Sequence, residues 1–391
     1  MAMHSNNSFR FFMPTQVLFG NGRCDELAPI VSSLGKRCLI VSRPRTGSLS
    51  AVYDRIEVAL KDEGVEPIFF DEVVPNPTCE GVERGIARAA ECNAEVVLGV
   101  GGGSVLDTAK LIAFLYSRNG NVDWKQAIST YDYPFSTEEP PPTALPIVTL
   151  TTTSGTGSHC TQAAVVTDTR NALKVTLFHK HLFPSVSIVD PELMYTVPPR
   201  VTAATGFDTF THAFESYLGN RTSPLTVQMS FEAISRVLEY VPKAMKNPLD
   251  SKARAELAWA DTLAGMCLAN GGADLPHPLG EIIGGICPRI AHGETLAMVY
   301  PQFLGFRAET AAEKFIALAR HLGLDPQPQA LVNRIIEFLQ ETELHKSVDR
   351  AEFTDAEKNE IEGHPLLEQL LPEQPRLIKE IMHKSLIHLN I

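Results

Sequence analysis

Short runs of large and β-branched apolar residues alternate with longer amphipathic runs through the first half of the chain. Residues 38–41, 67–70, 95–100 and 145–150 read as strands, and residues 52–61, 81–91 and 107–116 read as the helices among them. Strands separated by helices imply a parallel sheet, because a chain returning to the same end of a sheet needs a crossover. From about Pro198 the period changes, and apolar positions recur every three or four residues. That pattern predicts helices over 202–218, 225–241, 251–269, 308–321, 329–342 and 378–389. The expected architecture is an N-terminal α/β domain with a Rossmann-like parallel sheet, residues 1–192, followed by an all-α C-terminal domain, residues 193–391.

A chain of 391 residues can bury two such cores. Its 44% hydrophobic and 20% charged residues are a globular composition that excludes a disordered or collagen-like class. No stretch approaches the ~18 apolar residues of a membrane span, and the polar start, residues 1–10, lacks the apolar run of a signal peptide. The 46 acidic against 34 basic side chains give a net charge of −12, which repels nucleic acid and anionic membranes. Seven scattered cysteines without a CxxC pair suit reduced thiols, so a cytoplasmic protein is expected.

Two loops carry candidate chemistry. The run from Val96 enters Gly101-Gly102-Gly103-Ser104 and then a helix bearing Asp107 and Lys110. Glycines let a backbone approach a pyrophosphate, and a helix N-terminus offers it N–H donors. The segment 151–158, rich in Thr, Ser and Gly, follows another strand and offers hydroxyl donors for phosphate or ribose. Two such loops at strand ends reinforce each other, since open α/β sheets bind ligands outside the carboxyl ends of their strands.

A third signal lies in residues 205–217. Asp208, His212 and Glu215 fall at i, i+4 and i+7, on one face of a helix whose apolar positions are Phe207, Phe210, Phe214 and Tyr217. A carboxylate and an imidazole one turn apart can reach one divalent ion. Of the twelve histidines, 212, 277 and 292 have Gly, Pro and apolar neighbours, whereas His179, His181, His345, His364 and His383 read as solvated. Asp208, His212, His277 and His292 make an N₃O set suited to Fe²⁺ or Zn²⁺.

The order Phe19-Gly20, Pro75-Asn76-Pro77-Thr78, Gly101 to Lys110, Thr152 to Ser158, Asp190-Pro191 and Thr205 to His212 resembles the iron-containing (group III) alcohol dehydrogenase family. The resemblance spans nearly the whole chain. It implies a dehydroquinate synthase-like architecture, with the active site in the cleft between an α/β and a helical domain. It also implies metal-dependent hydride transfer between a small alcohol or aldehyde and NAD(P), in a homodimer. By the same resemblance Asp208, His212, His277 and His292 are the metal ligands. Cofactor contacts come from Asn76, Gly102, Gly103, Ser104, Asp107, Thr152, Thr153, Thr156, Ser158, Val165 and Lys174.

Three departures from the family pattern matter. Reading Pro278-Leu279-Gly280 as the family's HPLG segment would put Ala273 at the third ligand position. Taking His277 as the ligand keeps four donors and places Glu281 where a second histidine is usual, at the cost of a fifteen-residue spacing to His292. Glu281 and His159, the latter standing where the family has glutamate, are then candidate proton relays. Arg43, followed by Arg45, stands where NAD-preferring members carry an acid, so NADP is favoured over NAD. A lyase of the dehydroquinate synthase type would need a basic substrate pocket, and no Lys/Arg cluster accompanies the C-terminal motifs. A non-catalytic cofactor-binding protein on the same fold would have lost the metal ligands.

Overall fold

The computed structural model describes residues 8–117, 122–171 and 173–387. The chain separates into two compact units. One comprises residues 12–197 and 249–258. Of the described residues, the other comprises 198–248, 259–387 and 8–11.

The first unit is built on six parallel strands: β1 (Gln16–Phe19), β2 (Arg37–Val41), β3 (Glu66–Phe70), β4 (Val96–Gly101), β5 (Ile147–Thr151) and β8 (Val186–Val189). Two more strands, β6 (Ala163–Asp168) and β7 (Leu173–Phe178), form an antiparallel hairpin. The sheet order is β1-β8-β5-β4-β2-β3, so β3 is added on one side of β2 and β4 on the other, and the order of winding switches there. Central strands are buried on both faces, and their residues alternate between two cores. Cys38, Ile40, Val96, Leu98 and Val100 pack with Val31, Tyr53, Ile56 and Leu60 of helices α1 (Leu27–Leu34) and α2 (Ser50–Asp62). Leu39, Val41 and Val97 pack with Val82, Ile86, Ala109 and Ile112 of α3 (Cys79–Glu91) and α4 (Gly103–Phe114). The expected helix at 107–116 thus begins at Gly103, directly after the strand. A short helix, α5 (Trp124–Thr130), precedes β5.

The second unit is helical. Helix α6 (Pro199–Leu218) is buried at every position from Thr202 to Leu218 except Thr205, so it is the core of the unit. Phe207, Phe210 and Phe214 run along it and pack with Tyr300 and Phe338. Gly206 lets α7 (Pro224–Lys246) close on α6, since a Cβ there would stand 2.4 Å from Val241 Cγ2. The ammonium of Lys314 caps α6 by donating to the carbonyls of Tyr217, Leu218 and Gly219. Helix α8 (Ser251–Gly271), which enters this unit at Trp259, leads to α9 (Pro276–Ile286) and α10 (His292–Thr310). Neither α9 nor most of α10 is expected from sequence, where residues 308–321 read as one helix. The break falls at Ala311, and the next helix is Ala312–His321. The terminal helix is Pro375–Ser385, and residues 388–389 of its expected span lie outside the described residues, as do residues 1–7 of the polar start. Among the described residues no helix is long and apolar enough to cross a membrane.

Candidate functional site

In the helical unit, Asp208 and His212 sit one turn apart on α6, with His212 Nε2 3.5 Å from Asp208 Oδ1. His277 is the second residue of α9, and His292 is the first residue of α10. Their Nε2 atoms each lie 3.8 Å from the same Asp208 Oδ1. Donor atoms of Asp208, His277 and His292 all fall within 4.8 Å of one another. The rings of His212 and His277 stack with centroids 4.8 Å apart, and His292 meets His277 edge-on at 5.5 Å. Ala273, the alternative third position, is exposed and has no donor side chain.

Backbone features bring these donors together. Pro276 opens α9, where a missing N–H costs nothing. Gly293 lets α10 begin against α6: a Cβ there would stand 1.9 Å from the carbonyl oxygen of Ala204. Glu294, buried in the first turn of α10, accepts from Nε and Nη2 of Arg200 at 2.9 and 3.0 Å. That pair joins the N-terminal turns of α6 and α10.

The residues fit a divalent metal. A shell with bonds of ~2.1 Å puts tetrahedral donors ~3.4 Å apart, close to the separations observed. His277 Nε2 is buried and has no hydrogen-bond partner, which is costly unless a cation takes its lone pair. Its Nδ1 is held at 2.7 Å by Glu215, which is fully buried and also accepts the Asp274 N–H at 2.7 Å. Burial opposes charge on His277, yet Glu215, Asp208 and Glu281 outweigh it and push its pKa up to about 9. An imidazole ringed by carboxylates is an environment that attracts cations. Glu215 appears in sequence as the third residue of the helix stripe, but its hold on His277 depends on a contact 62 residues away in the chain. Glu281 stands one turn beyond His277 on α9 and is half-buried.

In the α/β unit, the two candidate loops leave adjacent strands, β4 and β5, and Thr152 N–H bonds to Gly101 O at 3.0 Å. Gly102 and Gly103 face the neighbouring loop closely. A Cβ on Gly102 would stand 2.7 Å from Thr153 Oγ1, and one on Gly103 would stand 2.3 Å from Thr156 Cγ2. Helix α4 starts there without a side-chain cap; Val105 and Leu106 N–H donate to Gly102 O at 2.9 and 3.1 Å, which leaves the N–H groups of Gly103 and Ser104 to meet an anion. These turns fit a dinucleotide pyrophosphate. Asp107 faces inward instead: its carboxylate accepts from Ser158 Oγ at 2.6 Å and from the Val165 N–H at 3.0 Å. Lys174 is half-buried on β7, and Asn76 adopts φ 54° between two prolines.

Lys110, noted in sequence beside the glycine turn, lies in the core with no solvent exposure. Its ammonium donates to Ser158 O and Oγ, Thr161 O and Oγ1, and Ala163 O, fastening the second loop to α4. His159 in that loop is buried, and burial with Lys110 nearby pushes its pKa down to about 3. His179, expected to be solvated, is instead fully buried, with Nε2 on the Glu138 carbonyl and its ring against Phe114 and Tyr131. The polar residues around it in sequence concealed its aromatic contacts with Phe114 of α4 and Tyr131, which follows α5. Arg43 is exposed after β2, whereas Arg45 bonds Asp54 and Glu57 and stacks 4.1 Å from the Phe69 centroid.

A family model described as "Iron-containing alcohol dehydrogenase" matches residues 14–191, and one described as "Fe-containing alcohol dehydrogenase family, C-terminal" matches 202–388. The chain is 31% identical to the NAD-dependent methanol dehydrogenase of Bacillus methanolicus over 314 residues, 80% of each chain. It is 35% identical to Long-chain-alcohol dehydrogenase 1 of Geobacillus thermodenitrificans over 315 residues, covering 80% of this chain and 77% of that one. Among solved structures, an archaeal halo-thermophilic alcohol dehydrogenase from a Red Sea brine pool aligns with a TM-score of 0.89 at 28% identity, covering 98% of this chain and 100% of that one. The NADH-dependent butanol dehydrogenase A of Thermotoga maritima aligns with a TM-score of 0.82 at 27% identity, covering 97% and 98%.

Proposed function

The chain belongs to the iron-containing alcohol dehydrogenase family, and from that premise we propose that Asp208, His212, His277 and His292 hold its catalytic metal. It is an oxidoreductase that interconverts alcohols and aldehydes with a nicotinamide coenzyme. The lyase and non-catalytic alternatives are not favoured, since the relatives are named as dehydrogenases and reductases. When bound, the metal supplies a Lewis acid for the substrate oxygen and the coenzyme supplies the hydride donor or acceptor.

The observation that carries the ligand assignment is the convergence of three imidazole nitrogens within 3.5–3.8 Å of Asp208 Oδ1. One carboxylate and three imidazoles suit Fe²⁺, the family's metal, and accept Zn²⁺ equally well. Gly102, Gly103 and Ser104 are proposed to meet the coenzyme phosphates through their backbone, with Thr152, Thr153 and Thr156 at the border of that turn; Asn76 is proposed as a further coenzyme contact from the family resemblance. Asp107, Ser158 and Val165 act one step back, by fixing the second loop through their mutual hydrogen bonds.

NADP is the proposed coenzyme because Arg43 is exposed at the carboxyl end of β2, the strand beside β4. In this reading Arg43 meets the 2′-phosphate, while Arg45 is committed to Asp54 and Glu57. Of the two relay candidates, burial pushes His159 down to about 3, and Glu281, half-buried one turn beyond His277, is the proposed relay. A cytoplasmic location is proposed from seven cysteines that form no disulfide, and a homodimer from the family resemblance. The test strips the protein of metal, reloads it with Fe²⁺ or Zn²⁺, and follows NADPH and NADH oxidation with small aldehydes. Turnover restored by metal, and metal content lost in Asp208→Ala and His292→Ala, is expected. Full metal content in both variants would overturn the ligand assignment.

A further inference from the structure

Asp208 and His212 present donors to one point, whereas Glu215, next along the same face of α6, reaches His277 at the nitrogen remote from that point. Glu215 is fully buried, and its Oε2 accepts the Asp274 N–H at 2.7 Å while lying 2.7 Å from His277 Nδ1. An ionised Glu215 has acceptors only, so with its Oε2 taking both the Asp274 N–H and the ring, the proton shared with His277 sits on Nδ1. The lone pair is then left on Nε2, which is buried, has no hydrogen-bond partner and lies 3.8 Å from Asp208 Oδ1. The support continues outward: Asp274 holds the Leu275 N–H at 2.8 Å and is itself paired with Arg307, which fixes the turn entering α9. Tyr300 Oη stands 3.4 Å from the second Glu215 oxygen.

We propose that Glu215 is the positioning residue that dictates which nitrogen of His277 binds the metal and strengthens the centre's hold on a divalent cation. The proposal rests on the metal-centre reading above. One ionised Asp and three neutral imidazoles leave a divalent ion with one uncompensated positive charge in a buried place, and Glu215 cancels it through His277. Hydrogen bonding to a carboxylate also makes the imidazole a stronger donor, and outer partners of this kind are worth 10–100-fold in metal affinity.

The test titrates metal-free protein with Co²⁺, following visible absorption and the dissociation constant, for wild type, Glu215→Gln, Glu215→Ala, His277→Ala and the Glu215→Ala/His277→Ala double variant. Glu215→Gln keeps the volume and an acceptor oxygen, so it should bind about 10-fold more weakly with a spectrum like wild type. Glu215→Ala should lose about 100-fold and shift the absorption bands. Because Glu215 acts through His277, the double variant should bind no more weakly than His277→Ala alone. If Glu215 only fills space, both single substitutions lower the thermal midpoint of metal-free protein while leaving affinity and spectrum unchanged, which would overturn the proposal. Additive losses in the double variant would overturn it as well. Wild type failing to bind Co²⁺ would overturn the metal-centre reading along with it, whereas wild-type affinity in Glu215→Ala would leave that reading standing.

Discussion

Gly293→Ala tests whether the start of α10 must lie against α6 for the centre to exist. The new Cβ would stand 1.9 Å from Ala204 O, 2.6 Å from its carbonyl carbon and 2.9 Å from its Cα. All three are backbone atoms of a buried helix, so no side-chain rotation relieves them. Ordinary contact lies near ~3.5 Å, and the two helix segments must therefore part by roughly 1.5 Å. Metal coordination tolerates shifts of only ~0.2 Å, and His292 is the residue next to the wedge. We expect a stability loss of ~1–3 kcal/mol from overpacking, and a loss of metal affinity of at least ~10-fold, the lower bound for disturbing even an outer partner. Metal content after dialysis against a graded chelator gives the affinity, and calorimetry of the metal-free protein gives the stability. Gly305→Ala is the control, since the same helix leaves open space around that position and helical Ala is favoured by ~0.5–1 kcal/mol. A Gly293→Ala protein that keeps wild-type affinity would refute the reasoning, whether or not its stability fell.

Other consequences follow from the same geometry. Lys110→Met removes an ammonium that satisfies oxygens of Ser158, Thr161 and Ala163 and leaves buried Asp107 with only the weaker pull of Lys174 among cations; urea unfolding should register a loss of ~3–5 kcal/mol, and a loss under ~1 kcal/mol would contradict the clamp. Arg43→Asp should lower the NADPH-to-NADH ratio of kcat/KM by ~10–100-fold, the worth of a charge-assisted hydrogen bond, while Arg45→Ala should change it little; an unchanged ratio in Arg43→Asp would remove the basis for preferring NADP. Glu357 is held down at about 2 by Arg289 and by the Thr354 N–H. Its lowered pKa stabilises the fold above pH 4.5, and that contribution disappears as pH falls towards about 2. Glu357→Gln should therefore unfold earlier in urea at pH 7, with the gap closing on acidification; a gap that widened would reverse the sign argued here.

The doubly wound sheet was legible because β2 and β4 are apolar on both faces and are flanked by amphipathic helices of ordinary length. Helix α9 was not, since its Pro276, Pro278 and three glycines read as turn, and it survives because its residues are buried almost all round. In α10 an internal Pro301 and an apolar surface on most sides hid the helical period. The spacing of Asp208 and His212 marks a candidate ligand pair only together with the segments around His277 and His292, which stand out through their surroundings and the family resemblance. The roles of Glu215 and Lys110 were not readable, because each acts on a partner brought near by the fold. Lys110 follows the glycine turn in sequence, but its ammonium points inward to Ser158, Thr161 and Ala163 and acts as a clamp.

The most direct measurement is an anomalous-difference map from crystals of the Zn²⁺- or Fe²⁺-loaded protein, recorded at the metal edge. The account predicts one strong peak within ~2.0–2.3 Å of an Asp208 oxygen and of ring nitrogens of His212, His277 and His292. A peak ligated by other side chains, or bound metal with these three imidazoles unengaged, would contradict it.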